Sequence, residues 1–527
     1  MNNFKFKRIV FLIVTIVVFG ITANGQGSSS SAAANRAVSD LAKAQQLTRN
    51  KSYLPAANLL YNLGYGANVG LNTNQKIFAR YLLGHSLFQL GYYQLAAFPL
   101  ISVINSKPEA KIEQGALQLI LKITDKIKDV SILNYAVEHL SPNSKSTLSQ
   151  SYVAQKLGEY YFLKNDLNNA ESNYRIALGF QESSRNSLYQ LGLINLKKDN
   201  PSEAFKYFEK LYQIYENEPG YDLNKGLATL AIARTYYQGK KWDQAINYYK
   251  KIPRNHSLYR QTQMELSWAQ FRDYRFRAAL GTIESLQTPF YETYYDPESL
   301  ILRIIIQMFI CQIEDMDKSL TAFEKTYLEL KKPFDVWYGI NRSDDEYLNL
   351  INSTAKNIKL VQNGFNPTFS KTIPFFVARL GFDTPKFSGY YNSIKSSQRE
   401  QKKFSLSALA TNRNFLKFAN KAYTARIAAG QKRLIAEFKI YLDFVKNDMK
   451  SYSAQFELIK YEALSTKKRV LRAKTYATVA TDQENNVNKE RQFYFENGFR
   501  FWPYQGEFWV DEIGNYQYLG INRCENE

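Results

Sequence analysis

Glu507, Asp511 and Glu512 are the carboxylates of this 527-residue chain whose spacing most suggests chemistry. Neighbouring acids can divide general acid and general base work when a cleft and a partner group hold them in place. These three lie in a run from Gly498 to Tyr516 that also holds Trp502, Pro503, Trp509 and other aromatic residues, too dense for a solvated end. As part of a structural tail they need only basic residues nearby. The chain supplies those, with 68 Lys and Arg against 48 Asp and Glu and a net charge of +20. The tail reading is therefore preferred, with docking assigned to Trp502, Glu507, Trp509, Asp511 and Glu512 and the two tryptophans as apolar plugs against the long helix or the end of the body. The weaker alternative is a wall-modifying hydrolase with Glu507 as its acid.

Other chemistry is sparse. His85, His139 and His256 are scattered, with no cysteine or carboxylate at ligand spacing, so no metal site is expected. No glycine-rich phosphate loop follows a strand pattern, and neither a Gly-x-Ser-x-Gly elbow nor a Cys/His pair is present. Neither a cofactor nor an enzymatic activity is expected. Cys311 falls in the apolar run Ile304 to Ile313 and reads as a small core residue, while a Cys311–Cys524 disulfide stays open for an oxidising compartment.

What recurs is a framework. Between Ser151 and Leu286 a small residue, an alanine about twelve residues later and a large apolar residue four further on appear four times. The sets are Gly158, Ala170 and Tyr174; Gly192, Ala204 and Phe208; Ala233, Ala245 and Tyr249; Ser267, Ala279 and Ile283. The step is about 34 residues within the first and last pairs and about seven longer between them. Small residues let two antiparallel helices approach, and the large ones fill the space between successive hairpins. An aromatic content of 15% follows largely from that packing.

This pattern resembles the tetratricopeptide repeat family over most of Ala34 to Tyr327, most specifically from Tyr152 to Leu286. The resemblance implies an all-α solenoid of about eight helical hairpins, a right-handed superhelix whose concave surface, lined by the first helix of each pair, holds peptides or other proteins. Carried over unit by unit, it places on that surface Gln155, Glu159 and Phe162, then Tyr189, Leu193 and Lys197, then Leu230, Arg234 and Tyr237, then Met264, Trp268 and Arg272. Gln155, Glu159, Tyr189, Lys197, Arg234, Tyr237, Trp268 and Arg272 are the candidate binding residues, since aromatic and arginine side chains dominate interface energetics.

Residues 1–25 read as a signal peptide, with Lys5, Lys7 and Arg8, the apolar run Ile9 to Ile21, and Ala23-Asn24-Gly25 as the cleavage site. An uncleaved anchor is the lesser alternative, because roughly 13 apolar residues span a bilayer poorly. The expected location is the periplasm, with no transmembrane span after cleavage. Export disfavours nucleic acid as a partner and leaves other envelope proteins, with an anionic wall or envelope polymer as a second class.

Residues 26–35 read as a flexible linker, 36–330 as the solenoid, 331–403 as an irregular connection interrupted by Pro367, Pro374 and Pro385, 404–476 as a long basic helix or helical hairpin, and 477–527 as the tail. Phe438, Leu442, Val445, Met449, Tyr452, Phe456, Ile459 and Ala463 form a heptad seam that pairs either within the chain or with a second copy. The segment Trp502 to Gly514 is similar to the end of exported repeat proteins of predatory and gliding bacteria, some tied to gliding motility. That likeness implies a periplasmic scaffold in an envelope-spanning machine.

Overall fold

The computed structural model describes residues 30–66, 70–127, 129–141, 153–216, 223–291, 294–362, 379–476 and 508–518, and every regular element among them is helical. Sixteen helices pair as hairpins: Ser30–Arg49 with Tyr53–Tyr65, Thr73–Gln89 with Tyr93–Asn105, Ala110–Ile127 with Ser131–His139, and Val153–Leu163 with Leu167–Leu178. The series continues with Gln181–Lys197 and Pro201–Glu216, Leu223–Gln238 and Trp242–Lys250, Tyr259–Arg272 and Phe276–Leu286, and Pro297–Phe309 and Ile313–Phe323. The hairpins form a tetratricopeptide-like solenoid, followed by the 64-residue helix Arg413–Tyr476.

Seven of the hairpins turn in the same way. The residue two places before the second helix, Lys51, Gly91, Asn165, Asp199, Lys240, Tyr274 or Cys311, has φ between 55° and 79°. The next amide donates to a carbonyl five residues back, as from Ser52 N to Leu47 O and from Gln312 N to Gln307 O, both 2.9 Å. This left-handed cap satisfies the end of the first helix and sets where the second begins. Cys311 is thus a turn residue rather than a helix-core one; it is 1% exposed and disulfide-bonded, and Cys524 lies outside the described residues.

The small-and-large framework brings the paired helices together. Ala170, Tyr174, Ala204, Phe208, Ala233, Ala245, Ser267, Ala279 and Ile283 are all fully buried. A Cβ placed on Gly192 would stand 2.3 Å from the Phe208 ring, and one on Gly158 would stand 3.0 Å from Tyr174. At Gly192 a side chain would force the Phe208 ring to move, and at Gly158 the Tyr174 ring would have to give by a few tenths of an ångström.

The chain divides into two compact units, residues 1–187 with 383–437 and residues 188–382 with 438–527. Helices Gln181–Lys197 and Arg413–Tyr476 contribute residues to both. In the first unit a continuous core runs from Ala37 to Leu157 and takes in Phe404, Leu409, Phe415, Ala419 and Tyr423 from the C-terminal part of the chain. In the second, Leu300, Ile301, Ile304, Met316 and Phe323 enclose Phe456, Ile459 and Ala463. The heptad seam therefore packs within the chain: Phe438, Leu442, Val445 and Met449 are buried as well.

Three boundaries differ from the sequence reading. The stretch expected to be a flexible linker is already helical from Ser30, because its alanines are strong helix formers even without a large apolar residue. The connection expected to be irregular holds helices Glu329–Gly339, Asp344–Gln362 and Pro385–Ser405. Pro385 opens a helix, where its missing N–H costs nothing, rather than breaking one; Pro367 and Pro374 lie outside the described residues. The long helix begins at Arg413, after a 3₁₀ turn at Ala408–Thr411. The segment read as a signal peptide is also outside the described residues, and no described helix is long and apolar enough to cross a membrane.

Candidate interaction surface

The residues assigned to the concave face stand on first helices, and several bond to the first helix of the next hairpin. In the first unit Glu159 accepts from Gln155 Nε2 at 3.2 Å, from Lys156 Nζ at 3.1 Å and from Asn186 Nδ2 at 3.1 Å. Gln155 is buried and Glu159 is about a quarter exposed, and the bond from Asn186 links the two hairpins.

In the second unit Arg234 reaches from helix Leu223–Gln238 to Glu265 on helix Tyr259–Arg272. Its Nε and Nη2 donate to the two carboxylate oxygens at 2.8 and 2.5 Å. Glu265 also accepts from Tyr249 Oη at 3.2 Å and Gln261 Nε2 at 3.1 Å. Hydrogen bonding to Glu265 holds the Arg234 guanidinium above its already high ordinary range, outweighing its partial burial. One repeat further on, Trp268 Nε1 donates to Glu298 Oε1 at 2.7 Å.

Tyr189 is half-buried against Phe208, with ring centres 5.8 Å apart, and burial pushes its hydroxyl upward. Tyr237 meets Trp242 edge-on at 4.9 Å. Leu230 and Met264 are core residues, 2% and 8% exposed. Lys197 and Arg272 stand at the ends of their helices, neither of them in the buried core.

Three carboxylates of this unit, Asp296, Asp448 and Glu265, bear on Glu298. Burial pushes Asp296, Glu298 and Asp448 above the usual carboxylate range, against the pull of Arg260 on Asp296, of Trp268 on Glu298 and of Tyr295 on Asp448. In a chain of net charge +20 this is a locally acidic interior, and its chemistry suits a cationic group. Sequence reasoning missed it. Arg234 and Glu265 are a repeat-length charge pair and were open to detection, whereas Asp448 arrives from the long helix about 150 residues away.

The tail docks within the second unit, and its one described tryptophan stands outside the buried contact. Trp509 is 59% exposed and Ile513 is the buried residue. Gly514 N donates to Ser285 Oγ at 2.7 Å, Tyr518 Oη donates to Asp315 at 3.2 Å, and Arg254 bonds the main-chain carbonyl of Asp511. Asp511 is exposed and Glu512 is partly so, while Trp502 and Glu507 lie outside the described residues. The main chain comes so close that a Cβ on Gly281 would lie 2.0 Å from the Tyr516 carbonyl oxygen, so the described part of the tail docks by main-chain groups together with Ile513 and Tyr518.

On the second-unit part of the long helix Lys460 pairs with Glu324 at 2.6 Å and Lys467 with Asp317 at 2.5 Å. Lys468, Arg469 and Arg472 lie on its far part, Arg469 and Arg472 exposed. Leu458, Tyr461 and Leu464, 60–73% exposed, precede them on the same helix.

Residues 183–252 match the tetratricopeptide repeat family. The matched repeats contain Tyr189, Lys197, Arg234 and Tyr237, the centre of the surface just described. No curated protein matches the chain. Among solved structures, a tetratricopeptide repeat protein from Parabacteroides merdae is 14% identical, with 56% of this chain and 93% of that one covered and a TM-score of 0.23. The apo form of RapI is 12% identical, covering 76% and 98%, with a TM-score of 0.30. A Rap protein complexed with competence and sporulation factor is 10% identical, covering 77% and 99%, with a TM-score of 0.26.

Proposed function

We propose that the protein is an exported scaffold that joins other proteins in a periplasmic complex of the cell envelope, of the gliding-motility type. The observation that carries the adaptor role is the match of residues 183–252 to a repeat family built for protein–protein interaction, on hairpins whose first helices present Tyr189, Lys197 and Tyr237. The bonded state of Cys311 supports an oxidising compartment, consistent with a signal peptide at residues 1–25. The likeness of the Trp502 to Gly514 tail to exported proteins of gliding bacteria supports the motility assignment.

The geometry sharpens which residues test the idea. Arg234 is tied to Glu265, so reversing its charge would also set two acids against each other. Arg272 closes its helix outside the buried core, so its replacement leaves the bonds between repeats intact. Crosslinking in intact cells followed by purification from envelope fractions is expected to recover a reproducible protein partner from the wild-type chain and much less from Arg272→Glu. Recovery of the chain alone in both cases would overturn the adaptor role.

A second reading, attachment to an anionic envelope polymer, is favoured by the run of Lys468, Arg469 and Arg472 on the long helix. Salt-sensitive cosedimentation with purified peptidoglycan, abolished in the triple glutamine variant, is its expected signature.

A further inference from the structure

The first unit contains a cleft of about 260 Å³ formed by helices Tyr93–Asn105 and Ser131–His139 and the long helix. Phe98, Ile101, Ile132 and Tyr135 make its apolar wall, and the small side chains of Ala425 and Ala429 leave the space open on the long-helix side. Two guanidinium groups border it, and they differ in what they hold. Arg426 is engaged: it donates to Asp129 at 2.5 Å, to Ser131 Oγ at 3.1 Å and to Gln94 Oε1 at 3.0 Å. Arg433, two turns further along the same face, makes no hydrogen bond or ion pair with any described residue, and its Nη1 is shut away from solvent.

A guanidinium nitrogen without water or an acceptor is costly, and such a group in a folded protein requires an explanation. Charge counting gives one. Among the described residues lining the cleft the cations are Arg426 and Arg433; Asp129 pairs with Arg426, and Arg433 acts on that carboxylate only from beyond hydrogen-bond distance. One positive charge, that of Arg433, is left over beside an apolar wall. Ligand sites combine a mostly apolar lining with a few polar groups in this way, and at about 260 Å³ this one lies just below their usual range, which suits a small ligand.

We infer that the cleft is a binding site for a small apolar carboxylate, with the apolar part against Phe98, Ile101 and Ile132 and the carboxylate on Arg433. The shared chemistry has two sources, a short acyl chain and the apolar C-terminal residue of a peptide. The inference is independent of the scaffold reading, since none of these residues belongs to the concave face.

Calorimetric titration of the full chain with octanoate and, separately, with N-acetyl-leucine tests it. Saturable binding of at least one is expected, the stronger ligand naming the source, and octanol should not bind. Arg433→Ala should weaken binding by about tenfold or more, because it removes a charge-assisted hydrogen bond from a half-buried site, with Arg433→Lys in between. Ala429→Leu, which fills the cleft and keeps Arg433, should abolish binding while leaving the circular dichroism spectrum unchanged. Absence of saturable binding for both acids, or undiminished binding in either Arg433→Ala or Ala429→Leu, would overturn the site.

Discussion

The helix Arg413–Tyr476 is held in two chemically different ways along its length. In the first unit a buried polar network is added to an apolar core in which Phe415 stacks on Tyr61 with ring centres 4.3 Å apart. Arg426 lies in a buried network with Asp129, Ser131 and Gln94; Glu400 accepts from Gln94 N at 2.9 Å and Tyr423 Oη at 3.4 Å; Asn412 bonds Asn58 and Asn62. In the second unit the grip is an apolar seam, in which Phe456 stacks on Phe323 with ring centres 4.6 Å apart. Apolar burial gives stability without strict geometry, whereas a buried polar network is satisfied in one register only and responds to pH. One helix thus buries apolar side chains along both halves and carries its buried, register-setting polar network in the first.

The largest expected effects break each half at its centre. Asp129→Ala leaves Arg426 buried without its counter-charge and should cost about 3–5 kcal/mol, most of it recovered when Arg426→Met removes the stranded cation as well. Phe456→Ala should cost a similar amount, about 3–5 kcal/mol, as a cavity, with Phe456→Leu retaining much of the packing. Hydrogen exchange resolved by unit reads both, and recovery in the polar case alone would uphold the distinction.

The pH response is next. Burial raises Glu400 from 4.5 to about 7, outweighing its hydrogen bonds from the Gln94 amide and Tyr423. Its folded value exceeds its unfolded one, so the folded state holds an extra proton between pH 4.5 and about 7. Stability is therefore gained as pH falls through that window and given up as it rises, by about 3 kcal/mol at full span. Asp129 has the opposite sign: burial pushes it up, but Arg426 and Ser131 hold it below the ordinary range, so its contribution disappears only in stronger acid. Asp296, Glu298 and Asp448 give the second unit the same sign as Glu400. Glu400→Gln should flatten the first unit's exchange profile between about pH 5 and 7.5 and leave the second unit's slope unchanged.

Smaller effects sharpen the contrast at single positions. Gly192→Ala forces a methyl into the Phe208 ring and should cost about 1–3 kcal/mol. Arg234→Ala should cost under about 1 kcal/mol, because its side chain is 46% exposed and the ion pair with Glu265 is screened. A larger loss would move that pair from the surface into the core account.

Periodicity made the hairpins and the seam legible. Gly158, Gly192, Phe208 and Tyr174 announce close helix packing because packing recurs with the repeat, and the seam residues recur at helical spacing. What periodicity cannot carry stayed hidden. The left-handed turn at Cys311 depends on backbone conformation, the tail docks by main-chain groups at Gly281 and Gly514, and Asp448 joins Glu298 only once the chain has folded back. Of the candidate surface, the types of residue were readable, but that Arg234 and Trp268 are already bonded to Glu265 and Glu298 shows only in the folded chain.

The most direct test of the scaffold role is a photoreactive amino acid placed at position 272 of the full chain and activated in living cells. The expected result is one discrete adduct of higher mass containing a single partner protein, absent when the same group is placed at the buried position 208. Position 272 yielding no adduct while position 468 does would contradict the repeat surface as the working face.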